Sequence, residues 1–192
     1  MAADLSYLVH DHLGPSRYPD YVASVIWGEC PLPGTEAYEQ HKAMMPQQFH
    51  FHFQRVAGLP KPLVAGREHL HLRHFFDNIS FNAGAITGGD LDRYVADYSQ
   101  PGAVRCASGV YRAFETGALE NREWRMANGR CRVPALGLSG EHSLQAKEAA
   151  ATLDEMYENA EPSLVCDSAH CIAEENPDDF TRQVLAFGER HS

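Results

Sequence analysis

Apolar positions recur along this chain with two different periods. Three short runs are nearly continuous and rich in aliphatic side chains, the pattern of strands buried on both faces. They are Tyr21-Val22-Ala23-Ser24-Val25-Ile26-Trp27, Val133-Pro134-Ala135-Leu136-Gly137-Leu138 and Pro162-Ser163-Leu164-Val165-Cys166. Each ends in small or polar residues: Gly28-Glu29-Cys30, Ser139-Gly140-Glu141 and Asp167-Ser168-Ala169-His170. Pro134 lacks an N–H to give a ladder and fits only near the start of its strand. Between the second and third runs, Ala146, Ala149, Ala150, Leu153 and Met156 follow helical spacing, which predicts an amphipathic helix over 143–158. Pro177 opens a closing helix, with Asp178 and Asp179 in its first turn and an apolar stripe of Phe180, Val184, Leu185 and Phe187. Strand, helix, strand, helix over 132–190 predicts an α/β unit with parallel strands.

The middle of the chain, 36–129, reads as a series of helices broken by Pro and Gly. The pattern predicts helices over 40–48, 63–78, 90–98 and 102–116, with Thr87-Gly88-Gly89-Asp90 and Ser99-Gln100-Pro101 as the clearest punctuation. A helical block between α/β pieces reads as a cap or lid. No internal repeat or low-complexity tract interrupts it.

Composition narrows the class. With 192 residues and 44% hydrophobic content the chain has enough material for one core and is no disordered tail. Asp and Glu number 26 against 16 Lys and Arg, for a net charge of −10, which argues against nucleic acid as the main partner. No apolar run reaches the length of a membrane span. The start, Met1-Ala2-Ala3-Asp4-Leu5-Ser6, has neither the basic nor the apolar part of a secretory signal. Five cysteines without a C-x-x-C pair argue for a reduced chain, and the expected location is the cytoplasm. His10/His12, His50/His52 and His69/His71/His74 are close enough to suggest ligands, and His-x-His on a strand can bind zinc. A helix, however, points i and i+2 apart, and His69 to His74 misses the i, i+4 spacing, so solvated or packing histidines are the expectation and no metal is assigned. Without a Gly-rich phosphate loop or a Gly-x-Ser-x-Gly motif, nucleotide binding and serine esterase chemistry lose support.

Several separated motifs, in order, resemble one family. They are Arg17-Tyr18-Pro19-Asp20-Tyr21-Val22, Val25-Ile26-Trp27-Gly28-Glu29-Cys30-Pro31-Leu32-Pro33-Gly34, Val64-Ala65-Gly66-Arg67-Glu68 with Phe75-Phe76, Tyr98 to Arg105, Tyr111-Arg112-Ala113-Phe114, and Ala169 to Asp178. Together they look like the capped α/β-hydrolases, in the branch of epoxide hydrolases and fluoroacetate-dehalogenase-like enzymes. The resemblance implies the C-terminal part of an α/β-hydrolase fold with an inserted all-helical cap. Its expected parts are a partial α/β core over 1–35, the cap over 36–130 and the C-terminal part of the core over 131–192.

Such enzymes attack carbon with an Asp, form an alkyl ester, and hydrolyse it with water activated by a His that a second carboxylate orients. The resemblance implies His170 as that base, in the loop before the last helix. Glu29 is the candidate acid, with Glu141 the alternative; the other place where hydrolases carry the acid holds Ser143. Tyr111 matches the cap tyrosine that donates to the departing oxygen, or else packs the cap interior. His50 and Phe51, in Phe49-His50-Phe51-His52-Phe53, fall near substrate-lining cap positions, although the alternation also fits a half-buried extended segment. Asp11 in His10-Asp11-His12-Leu13-Gly14 resembles the nucleophile elbow. Val9 stands where glycine is usual and Pro19 follows only eight positions after Asp11, so the elbow is either remade or a chance match.

The first strands of the fold and the loop that supplies oxyanion donors have no counterpart before residue 10, and the chain therefore reads as a fragment, a truncated gene or a decayed relative. The expected function is hydrolysis at an electrophilic carbon through an aspartyl ester, opening an epoxide to a diol. Alternatives are a haloacid or haloalkane dehalogenase and a non-catalytic remnant acting as a binding protein. No cofactor is needed. The expected partner is a small epoxide or halogenated organic molecule, with no nucleic acid, no membrane, and a homodimer as the one protein partner left open.

Overall fold

The computed structural model describes residues 20–30, 32–42, 49–144 and 146–191. Asp11 lies outside them. Three parallel strands form one sheet in the order β1 (Val25–Gly28), β2 (Ala135–Gly140), β3 (Ala160–Val165). Val25 pairs with Ala135 and Gly28 with Leu138, while Ala135 pairs with Ala160 and Gly140 with Val165. Each strand begins or ends a few residues from the run the apolar pattern marks. Val22 and Ala23 lie before the ladder, which starts where the Val25 N–H reaches the Pro134 carbonyl at 2.9 Å. Pro134 thus contributes an acceptor just outside β2, as its missing N–H requires.

All six residues of β2 are buried, because the strand is central and covered on both faces. Its side chains alternate between two clusters. Ala135 joins Trp27, Leu32, Tyr38, Phe114, Leu153, Met156 and Tyr157 on one face. Leu136 and Leu138 meet Val165, Ile172 and Phe187 on the other. The first face is covered by the crossover helix between β2 and β3, Ala146–Met156, and the second by the closing helix, Pro177–Arg190.

Among the described residues, six α-helices separate β1 from β2. They are α1 (Glu36–Lys42), α2 (Phe49–Arg55), α3 (Pro60–Val64), α4 (Glu68–Ile79), α5 (Gly88–Tyr98) and α6 (Ala103–Asn128). The crossover helix is then α7, the turn Ile172–Glu175 is α8, and the closing helix is α9. The helix expected over 40–48 begins earlier, at Glu36, and its residues 43–48 lie outside the described ones. Two further spans correct the expectation from sequence. The helix expected over 63–78 is two, because Gly66 adopts φ 76°, a left-handed conformation that glycine enters without a Cβ penalty. The helix expected over 102–116 runs on to Asn128, carried by the buried Ala118 and Asn121, whose amide donates to the Pro33 carbonyl at 2.8 Å. Thr87 and Asp90 form a reciprocal capping box that starts α5. Among the described residues, no helix is long and apolar enough to cross a membrane.

The start of α9 also fixes the loop after β3. The Asp179 carboxylate accepts the Cys166 N–H at 2.9 Å and bonds Arg182 and Gln183. The Cys166 N–H, with Arg182 and Gln183 in support, outweighs burial and holds this carboxyl below the usual range. A lowered folded pKa means stability that is complete above the unfolded carboxylate value and lost as pH falls through the folded one. Asp179→Asn is therefore expected to lower the melting temperature at neutral pH. The gap to the unaltered protein should close as pH falls from about 5 towards 2. A gap independent of pH in thermal scans would show that the charge is not what matters.

Candidate active site

The loops after the three strands emerge side by side, because parallel strands present all their C-terminal ends at one sheet edge. Glu29 follows β1 with φ 53°, a left-handed conformation uncommon for a residue with a side chain. Its N–H continues the ladder to the Leu138 carbonyl at 3.2 Å. The turn sends its carboxylate across the end of β2. There Oε1 accepts the Gly140 N–H at 2.6 Å, and Oε2 accepts the Ser143 hydroxyl at 2.7 Å. The same Oε2 lies 3.2 Å from Nδ1 of His170, which comes from the loop after β3, 141 positions along the chain.

Side-chain exposure is 6% for Glu29 and 38% for His170. A buried carboxylate thus sits beneath a half-open imidazole. This geometry favours the tautomer with hydrogen on Nδ1 and leaves Nε2 as the basic nitrogen. The pair depends on close approach of two backbones. A Cβ on Gly140 would lie 2.1 Å from the Ala169 carbonyl oxygen. The His170 N–H in turn donates to the Ile79 carbonyl at the end of α4, at 3.2 Å.

Glu141, the alternative acid, is exposed, accepts the Asp167 N–H at 3.2 Å, and stands 4.0 Å from His142 instead of facing His170. Glu141, His142 and Asp167 each offer one ligand atom within 4.8 Å of the others, all on exposed residues. The His142 ring is stacked on Phe81 at 3.9 Å.

A second group forms in the helical insertion. His50 and Phe51 lie on α2, a helix and not the extended segment that the alternation also allowed. The Tyr111 ring, on α6, meets Phe51 edge-on at 5.3 Å and His50 at 5.9 Å. Phe51 also packs against the buried Phe114. The helix is held by Gln54, whose buried side chain accepts the Ser108 hydroxyl at 2.7 Å. Phe51 and Tyr111 border the same apolar cluster as Trp27 and Cys30, at the end of β1 where Glu29 begins. The structure therefore brings Glu29 to His170 and brings His50 and Phe51 to Tyr111. Ser143 and the Gly140 N–H also bond the carboxylate. The resemblance placed Ser143 where other hydrolases carry the acid, but a hydroxyl donor to a carboxylate from another strand leaves no mark in sequence.

A parallel sheet with helices on both faces and a helical insertion after β1 give this chain the fold of the solved α/β-hydrolases it is similar to. Solved structures similar to this chain include Cfl2 from Burkholderia cenocepacia, with 26% identity and a TM-score of 0.81 over 92% of this chain and 60% of that one. Another is the Cif epoxide hydrolase from Acinetobacter nosocomialis, with 15% identity and a TM-score of 0.81 over 92% of this chain and 57% of that one. Human epoxide hydrolase 4 is 23% identical over 179 residues, 88% of this chain and 48% of its own length. The chain thus spans about half of that curated relative and about three fifths of those solved structures. No protein-family model matches it.

Proposed function

We propose that this chain carries an epoxide-hydrolase-like active site that works through an ester on aspartate. The observation that carries the reading is the 3.2 Å contact between the buried Glu29 carboxylate and His170 Nδ1 at the ends of parallel strands. The helical insertion acts as the cap over this end of the sheet. In the first step a carboxylate oxygen of Asp11 attacks an epoxide carbon and the ring C–O bond breaks. The oxygen that leaves the ring takes the proton of the Tyr111 hydroxyl, and His50 and Phe51 line the pocket beside it. In the second step water attacks the ester carbonyl carbon while its proton passes to Nε2 of His170. Glu29 holds the Nδ1 hydrogen and stabilises the imidazolium that forms. Collapse of the tetrahedral intermediate releases the diol and restores the Asp11 carboxylate. The imidazolium proton returns to the tyrosinate through solvent, so the cycle consumes one epoxide and one water.

His170→Ala should stop the second step but not the first. Mass spectrometry of this variant after incubation with styrene oxide is expected to show one covalent adduct, mapping to Asp11, while the unaltered chain yields diol. A folded chain that gives neither diol with styrene oxide nor an adduct in the variant would overturn the reading. Fluoroacetate, run alongside, separates epoxide opening from dehalogenation.

A further inference from the structure

We propose that Glu175 is a positioning residue for His170, acting on the peptide groups that flank the imidazole and never on the imidazole itself. The inference rests on the reading of His170 as the base. Glu175 ends the short turn α8. Its Oε1 accepts both the Ala169 N–H and the Cys171 N–H, each at 3.1 Å. Its Oε2 accepts the Asn82 N–H at 2.7 Å, from a segment 93 positions away that begins the 3-10 turn Ala83–Ala85. With the Ile79 carbonyl taking the His170 N–H, three consecutive peptide N–H groups around the base are all bound.

The chemistry calls for a carboxylate. Three N–H donors converge on two oxygens, and charge-assisted bonds of this kind are stronger than neutral ones. An amide at this position offers one acceptor oxygen and turns two N–H groups towards a third donor. The same side chain ties the base to the helical insertion. Cys171, next to His170, packs with Phe76, Ile86 and Leu91 from α4, α5 and the turn between them. Tyr94 on α5 donates to Glu174 at 3.0 Å. Displacement of the insertion therefore reaches the imidazole through Glu175 and Asn82.

The test reads the imidazole and the amides directly by NMR of the full chain. In Glu175→Ala the Nδ1 hydrogen of His170 is expected to lose its protection and the His170 titration to move. Amide exchange at 169–171 should rise at least tenfold while amides of β2 keep their rates. Glu175→Gln is expected to keep protection at Ala169 and Cys171 and to lose it at Asn82, and it decides the matter if the alanine variant does not fold. An unchanged His170 titration and unchanged exchange at 169–171 in a folded Glu175→Ala would overturn the proposal. So would full protection of the Asn82 amide in Glu175→Gln. These readouts need no turnover, so failure of the styrene oxide experiment with a responsive His170 would overturn the catalytic reading and leave the positioning one standing.

Discussion

Glu29→Gln is expected to lower diol formation by on the order of 10³–10⁴-fold while leaving the chain folded. The replacement is nearly isosteric, and the amide oxygen can still accept the Gly140 N–H that Glu29 accepts at 2.6 Å. The amide nitrogen then faces Ser143 and His170. Ser143 can rotate its hydroxyl to accept, but His170 must turn a bare Nδ1 towards the donor and carry its hydrogen on Nε2. That tautomer offers water no base. It also lacks the negative charge that stabilises an imidazolium. Nitrogen chemical shifts of the imidazole are the check, and they are expected to exchange the roles of Nδ1 and Nε2 between the two proteins. An unaltered tautomer with unaltered turnover would remove Glu29 from the mechanism.

Gly140→Ala is the second large effect. The added Cβ would lie 2.1 Å from the Ala169 oxygen and 2.6 Å from its carbonyl carbon and Cα, all backbone atoms with no rotamer to yield. The loop carrying His170 must move as a body, and the bond from the Gly140 N–H to Glu29 strains with it. Overpacking of this kind costs about 1–3 kcal/mol. For a chain of this length the melting temperature should fall by about 2–12 °C. The pairing of Glu29 with His170 should be lost as well. Gly137→Ala, three residues earlier on β2, is the control. Its Cβ would meet Leu153 Cδ1 at 1.8 Å, the far end of a flexible side chain on α7, on the other face of the sheet. It is expected to cost stability but leave the His170 tautomer alone, and equal damage to both readouts would contradict the steric account.

The parts of the fold that were legible in sequence are those with one dominant local signal. The three apolar runs mark the strands because a central parallel strand must be apolar on both faces, and their flanking polar residues mark the loops that hold Glu29 and His170. Gly66 carried the signal for the break between α3 and α4, yet the apolar spacing on either side of it reads as one helix. The Phe-His alternation of 49–53 has the period of a strand, but tertiary contacts decide otherwise. Phe51 packs on Tyr111 and Phe114, and Gln54 is buried against Ser108. Glu29 stood out by its place after a strand, and what separates it from Glu141 is the direction of the side chain. A left-handed backbone at Glu29 points its carboxylate across β2, and that depends on pairing with residues over a hundred positions away. The part played by Glu175 was illegible for a similar reason. Its partners are peptide N–H groups, which every residue but proline possesses.

The indole of Trp27 has a consequence for observing this site. It is buried to 3% exposure, and its Nε1 hydrogen goes to the Cys30 carbonyl at 2.7 Å, spanning the turn that orients Glu29. The chain has one other tryptophan, Trp124, partly buried at the margin of the same cluster. Trp27 closes the acid-bearing turn from the end of β1, so with Trp124 replaced by phenylalanine the ordering of that turn can be followed by fluorescence in real time, without a label and without a substrate.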